Sequence, residues 1–407
     1  MKSVLIVMLV ITSNVYALEG VESLEKLIYE KNQDYQAMID VQESKKASSN
    51  SSYSGYYPTL NAVGGWGQNK TDELGTTQKG YLGYLEGRAN LFKGFKDQSI
   101  VDQKSADFNI GAIELEAKKR ELRLQLTEVI SDMIYLHKAQ EVLQEELKSA
   151  KLQRQMAAKK VSAGLTGPVD NLELDLKENE VEIEIKQFEQ LHFENHQKLV
   201  KLFGNDVKDS DLDKVKLSGI ESYQPEKFEL KIENNLSVKK ADLIKAKSES
   251  EKKEIKSEFM PSVDLTYAFG RLTPSENTPI QFNEYKYGIS LTIPLFSGFE
   301  TYYKNKAAVY QMDAAEKLKN QKTHDIDSEF KTLKNKINET VALYTINEKK
   351  LSNSQKYFDL TLAEYRRGIK NSPDLITATD RLFSTKKKKF ELLKELEILK
   401  IKLENIL

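Results

Sequence analysis

From Leu122 onward, apolar residues return at alternating steps of four and three: Leu122, Leu126, Val129, Met133, Leu136, Leu143, Leu147 and Ala150, with Gln140 the one polar member. That period is the seam of a helix gripping a neighbour in coiled-coil fashion. A second, patchier stripe (Leu115, Leu124, Ile130, Ile134) predicts contact on another side. The following helical segment also carries two stripes, Leu172, Leu176 and Ile183 on one and Leu174, Val181, Ile185 and Phe188 on the other. Helices held on both flanks build either a bundle or a curved wall, and periodicity alone does not choose between them.

Elsewhere the period drops to two. One stretch sets Val263, Leu265, Tyr267 and Phe269 against Ser262, Asp264, Thr266 and Ala268. Another sets Tyr285, Tyr287, Ile289, Leu291 and Ile293 against Lys286, Gly288, Ser290 and Thr292. A third places Tyr81, Leu85, Ala89 and Leu91 opposite Glu86, Arg88 and Asn90, and a weaker one has Leu60, Ala62 and Trp66 on its apolar side. Such alternation arises either in a sheet half-buried on helices or in the wall of a transmembrane barrel, where strands run about ten residues with aromatics near their ends. Four strands cannot close a barrel, since the smallest bacterial ones use about eight. An open edge in lipid would leave backbone groups unsatisfied at several kcal/mol each. The barrel reading therefore requires several copies of the chain.

The chain also repeats itself. Tyr56–Gly67 aligns with Phe259–Gly270, Leu91–Phe95 with Leu295–Phe299, and the turn holding Gly164 and Asp170 with the turn holding Gly368 and Asp374, all at offsets of 203 to 204 residues. Three matches in one order at one offset indicate duplication. Each copy predicts a helix (Gly20–Ser54; Glu226–Glu258), a proline-started strand, a polar loop (Asn69–Lys79; Thr273–Asn283) and a second strand. A helical stretch of about 70 residues follows (Phe95–Ala163; Phe299–Arg367), then a glycine turn and a closing helix to Phe203 or Leu407. At about 1.5 Å per residue the long helix would reach roughly 100 Å. The two shorter helices of each copy, stacked end to end, would match it, predicting a rod and not a globule. The division expected is residues 1–17, 18–204 as first repeat, 205–225 as a polar connector, and 226–407 as second repeat.

Residues 1–17 read as a secretory signal peptide: Lys2, an apolar core from Val4 to Ile11, and Ala17 before a cleavage point. No run of about 18 apolar residues follows, so no membrane-spanning helix is expected. The 407 residues contain no cysteine, which removes disulfides, cysteine lipidation and thiolate metal sites. An exported, cysteine-free chain of this kind fits the bacterial periplasm or outer membrane. Lys plus Arg total 61 against 62 Asp plus Glu, so nothing points to nucleic acid. His192 and His196 have a helical metal-binding spacing but no obvious third ligand, so neither metal nor other cofactor is expected. No nucleophile elbow, P-loop or dinucleotide fingerprint occurs. The Lys386–Lys389 run reads as a solvated helix face.

The strand pair ending at Pro294–Phe299, the turns around Gly164 and Gly368, and the half-chain duplication together resemble the TolC-type outer-membrane efflux proteins, from about Leu18 to Leu407. The resemblance implies a fold that is mainly α with a transmembrane β-barrel segment. Three chains of four strands would make a twelve-stranded barrel, continued by a long periplasmic α-helical barrel. It implies a homotrimer in outer-membrane lipid, docked on a periplasmic adaptor and an inner-membrane transporter. The turns Gly164, Leu165, Thr166 and Gly368, Ile369 would contact the adaptor, and the helix-turn-helix tips would form the periplasmic entrance. There the family's acidic position falls on Asp374, with Asp170 its equivalent in the first copy. A second family acid falls on Thr377, a departure. A threefold ring of Asp374 carboxylates would favour cations, and Tyr365 and Lys370 lie near enough in sequence to brace the tip. Against this, Asp374 and Asp170 also read as plain helix N-caps beside Pro373 and Pro168. Residues 205–225 read either as the family's equatorial region or as a linker.

Three functions compete at this point. The chain is a passive exit duct for small molecules or proteins, a pore-less coiled-coil spacer or adhesin, or a metal hydrolase using His192 and His196.

Overall fold

The computed structural model describes residues 22–71, 76–204, 228–276 and 282–407. The proposed signal peptide, the 205–225 connector and the centres of both polar loops lie outside the described residues. In order the chain forms α1 (Glu22–Lys31), α2 (Gln33–Ser51), β1 (Thr59–Thr71), β2 (Thr76–Lys93), α3 (Lys96–Ser162), α4 (Pro168–Phe203), α5 (Leu236–Ser257), β3 (Ser262–Ser275), β4 (Glu284–Thr292), α6 (Glu300–Arg366) and α7 (Ser372–Ile406). The predicted long helices are thus matched to within a residue at each end. No described helix is long and apolar enough to cross a membrane.

The chain divides into two compact units, and each draws on both sequence repeats. The first holds α1, the later parts of α3 and α6, α4 and α7. Its largest core packs Leu122, Leu126, Val129, Ile130 and Met133 of α3 against Leu24 and Ile28 of α1 and Leu199 and Phe203 of α4. Further along, Leu143 and Leu147 meet Val181, Ile185 and Phe188. The heptad seam is therefore shared between two partners in turn. Each such leucine contributes about 2 kcal/mol through removal from water. Of the two stripes on α4, the one with Leu174, Val181 and Ile185 is buried, whereas Leu172, Leu176 and Ile183 are exposed on the single chain.

Two corrections belong to this unit. The first predicted helix is broken at Asn32, whose Nδ2 donates to Leu202 O at 2.9 Å while its Oδ1 accepts from Tyr35 N at 3.0 Å. The lysine run is not simply solvated. Lys386 pairs with Glu145 of α3 at 2.6 Å, Lys387 with Glu184 of α4 and Lys389 with Glu348 of α6 at 3.1 Å, leaving Lys388 to pair within its own helix. Deeper in, Lys177 lies 2.9 Å from Glu146 and 2.6 Å from Asp380. Burial pushes the Glu146 carboxyl up, against the Lys177 ammonium.

The second unit holds α2, the first part of α3, α5, the first part of α6 and one antiparallel sheet in the order β1-β2-β3-β4. The predicted second helical segment starts only at Leu236, where the Asn235 side chain caps the amides of Ser237 and Val238. Repeat one meets repeat two at β2–β3, with Leu85 opposite Phe269, Gly87 opposite Tyr267 and Ala89 opposite Leu265. On the same face Leu265 faces Ile289, and Tyr267 faces Tyr287. The period-two reading thus assigns faces correctly. Leu91 falls at a register shift between Asn90 and Phe92. Each strand pair ends in a tight turn where Gly94 and Phe95, or Gly298 and Phe299, both adopt positive φ. Those two phenylalanines are the only non-glycine residues at positive φ among the described residues. Each is held edge-on to a neighbouring ring, Phe92 at 5.5 Å or Phe296 at 5.3 Å.

Candidate functional site

The turns α3–α4 and α6–α7 are built alike. Gly164 and Gly368 have φ of +71° and +78°, and a Cβ there would meet nothing within 4 Å, so glycine is needed for conformation and not for space. Leu165 N donates to Lys160 O at 2.9 Å and Ile369 N to Glu364 O at 3.0 Å, the Schellman bond that closes a helix end. Pro168 opens α4 and Pro373 is the second residue of α7.

The capping reading of the two acids fails. Gly167 precedes α4 without a side-chain cap, and Asn371 caps α7, its Oδ1 accepting from Asp374 N at 3.2 Å. Asp170 and Asp374 both occupy the third helical position, where negative charge suits the helix dipole, yet their side chains do different things. Asp170 crosses to the other repeat. Its Oδ2 accepts from Tyr365 Oη at 2.8 Å, and its Oδ1 accepts from Ser372 N at 3.0 Å and from Ser372 Oγ. Asp374 stays local, 3.5 Å from Lys370. Thr377 is exposed and donates to Pro373 O at 2.8 Å within its helix.

Tyr365 is fully buried, packed with Ala157, Leu174 and Leu375. The Lys160 ammonium lies 3.8 Å from its ring centroid and donates to its backbone oxygen. Burial pushes the Tyr365 phenol well above its ordinary range, and the hydrogen bond to Asp170 pushes it the same way, so it remains a donor. Burial also raises the Asp170 carboxyl, but hydrogen bonds from Ser372 and Tyr365, with the Lys160 charge, outweigh it and leave the carboxyl below its ordinary value. One level further in, Gln153 Nε2 donates to Thr379 Oγ1 at 3.0 Å, again joining α3 to α7.

Of the predicted tip residues, the structure brings Asp170 and Tyr365 together and sets Lys370 with Asp374 as a separate pair. Thr377 joins neither. Leu165 and Ile369 stand out from the turns at 73% and 64% exposure. Sequence reasoning missed Ser372, Lys160 and Asn371. Only Asn371, just before a Ser-Pro helix start, carried a local signal. The described residues hold no group of three or more metal-ligating side chains.

The family model for outer membrane efflux proteins matches residues 26–205 and again 229–407. No curated protein matches the sequence. Among solved structures, the outer-membrane channel OprN superposes with a TM-score of 0.87 at 15% identity, over 95% of this chain and 89% of that one. The Campylobacter jejuni CmeC outer membrane channel gives 0.81 at 14%, over 96% and 85%. The open state of the Neisseria gonorrhoeae MtrE outer membrane channel gives 0.80 at 14%, over 96% and 89%.

Proposed function

Because this chain belongs to the outer membrane efflux protein family and forms an outer-membrane exit duct of tripartite efflux systems, we propose that its two helix-turn-helix tips are the periplasmic entrance of that duct, and that the bonds Asp170 makes to Tyr365 and Ser372 hold the entrance closed. The observation that carries this reading is one carboxylate bonding across from the first repeat to the second at the turns. A hydrogen-bonded charge there ties α4 to α6 and α7, so the helix pairs cannot part without breaking it. Lys160 and Tyr365 brace the tie, and Lys370 and Asp374 line the second tip beside Thr377.

Members of the family are trimeric channels that work with adaptor proteins and inner-membrane pumps. They are channel proteins and not enzymes, which favours the duct reading over the pore-less spacer and the hydrolase. For this chain a homotrimer is supported by β1 and β4, which end the sheet as open edges. The sheet's exposed apolar face, with Leu60, Trp66, Tyr287 and Ile289, suits outer-membrane lipid. Gly164, Leu165, Thr166, Gly368 and Ile369 would meet the adaptor, Leu165 and Ile369 supplying the apolar contact. Energy for export comes from the inner-membrane partner.

Planar-bilayer conductance of the purified protein tests this reading. The wild type should show brief, rare openings, and Tyr365→Phe should open more. A heat-resistant trimer that never conducts, with or without that substitution, would falsify it.

A further inference from the structure

A ring of Asp374 carboxylates would select cations only if those carboxylates were bare. In this chain they are not. Lys370 lies 3.5 Å from Asp374 in the same chain, both side chains about two-fifths exposed, so threefold symmetry multiplies an ion pair and not a charge. One helical turn further on, Thr377 adds no charge and spends its hydroxyl on Pro373 O. Asp170, the acid of the other tip, has its oxygens occupied by Tyr365 and Ser372. Around these acids the turns are basic. Counting the last helical turn, the loop and the first helical turn of each tip (residues 159–171 and 363–375), Lys159, Lys160, Arg366, Arg367 and Lys370 stand against Asp170, Glu364 and Asp374. Each chain therefore carries two more cations than anions there.

The polar face of the sheet does not offset this. Among the described strand residues it carries Glu86, Asp264 and Glu284 against Arg88, Lys93 and Lys286, a balanced set by register. Fixed charge in salt acts over a screening length of about 8 Å, so the charges at a constriction decide which ions pass it.

We propose that the entrance is electrostatically positive and passes anions in preference to cations, with Lys370 the residue that cancels the Asp374 ring. This rests on the entrance reading above, and it names anionic solutes as the class the tip favours. Arg366 and Arg367, both exposed, add to the same field.

Reversal potentials of the wild-type trimer across a potassium chloride gradient test the proposal. The wild-type potential should lie on the chloride side of zero. Lys370→Gln should move it towards potassium, because it removes a cation and bares a carboxylate. Asp374→Asn should move it further towards chloride, an independent arm of opposite sign. Reversal potential does not depend on how often the entrance opens, so loosening of the tip cannot mimic either shift. A wild-type potential on the potassium side overturns the proposal, as does a Lys370→Gln channel whose potential does not move. A trimer that conducts nothing sinks the duct reading itself, and this inference with it.

Discussion

Replacing Tyr365 by phenylalanine removes one oxygen atom and keeps the ring, so it isolates the bond between the repeats from the packing around it. Ala157, Leu174 and Leu375 surround the fully buried ring, and phenylalanine fills the same space. The loss is a 2.8 Å hydrogen bond to a carboxylate. Hydrogen bonds to charged groups contribute about 1.5–3 kcal/mol. Asp170 is only partly buried and keeps its bonds from Ser372, so water can replace the phenol and the lower end, about 1.5 kcal/mol, applies. At about 1.4 kcal/mol per factor of ten, the closed-to-open ratio should fall about tenfold for each chain released. Concerted opening of three chains would multiply these factors towards a thousandfold, about 4.5 kcal/mol in all.

Single-channel recording gives the open probability directly. A Tyr365→Phe channel with wild-type openings, still a heat-resistant trimer of unchanged helix content, would refute the reasoning. The pH dependence follows with its sign. A carboxyl depressed in the folded state lends stability above its ordinary value of 3.8, and that stability is lost as pH falls through the lowered value. The raised phenol stays neutral throughout. Opening should therefore be flat from neutrality down to about pH 5 and increase only below about pH 4.

Three further outcomes are expected. Gly270 has φ of +146°, and a Cβ there would lie 2.6 Å from both Gly83 O and Tyr84 Cα; Gly270→Ala should therefore cost about 1–3 kcal/mol or more. It should abolish the trimer band on unheated gels, while Gly288→Ala, with only Thr266 Oγ1 at 4.0 Å, keeps it. Lys177→Met strips the principal cation from Glu146, which is 2% exposed, and should destabilise by about 3–5 kcal/mol; pairing it with Glu146→Leu should restore most of the melting temperature. Burial pushes Glu404 up to about 7, against the attraction of Arg123 and Lys400. A carboxyl raised in the folded state stabilises most below its unfolded value of 4.5, and that contribution is lost as pH rises through about 7. The loss is of order 3 kcal/mol, so Glu404→Gln should flatten melting temperature between pH 5 and 8 and raise it at pH 8.

What could be read from the sequence was whatever the chain encodes locally. Heptads located the buried seam of α3, alternation assigned the faces of β3 and β4, and Gly164 and Gly368 marked turns whose backbone only glycine adopts easily. The failures share a different origin. Asn32 breaks a helix without proline or glycine because its side chain is bound to Leu202, 170 residues away. Asp170 finds Tyr365 and Ser372 at separations of 195 and 202 residues, where spacing carries no information. The lysines at 386, 387 and 389 look solvated in one dimension, and become crosslinks once three other helices surround α7.

The same comparison explains why duplication did not yield two equal tips. An offset of 204 residues places Asp170 on Asp374, Thr166 on Lys370 and Val161 on Tyr365. Asp170 reaches Tyr365 because the second repeat supplies a hydroxyl at that position, on a fully buried ring. Asp374 has no such counterpart, since the equivalent residue, Val161, offers neither donor nor charge, and Lys370 is close enough to claim the carboxylate instead. In a ring of three chains, first and second repeats would alternate. The Asp170–Tyr365 bond would then lie within each chain. The copies thus differ at Val161/Tyr365, Thr166/Lys370 and Pro168/Ser372, and on the proposed entrance reading those three differences would leave Asp170 tying the tip together and Asp374 matched by a lysine.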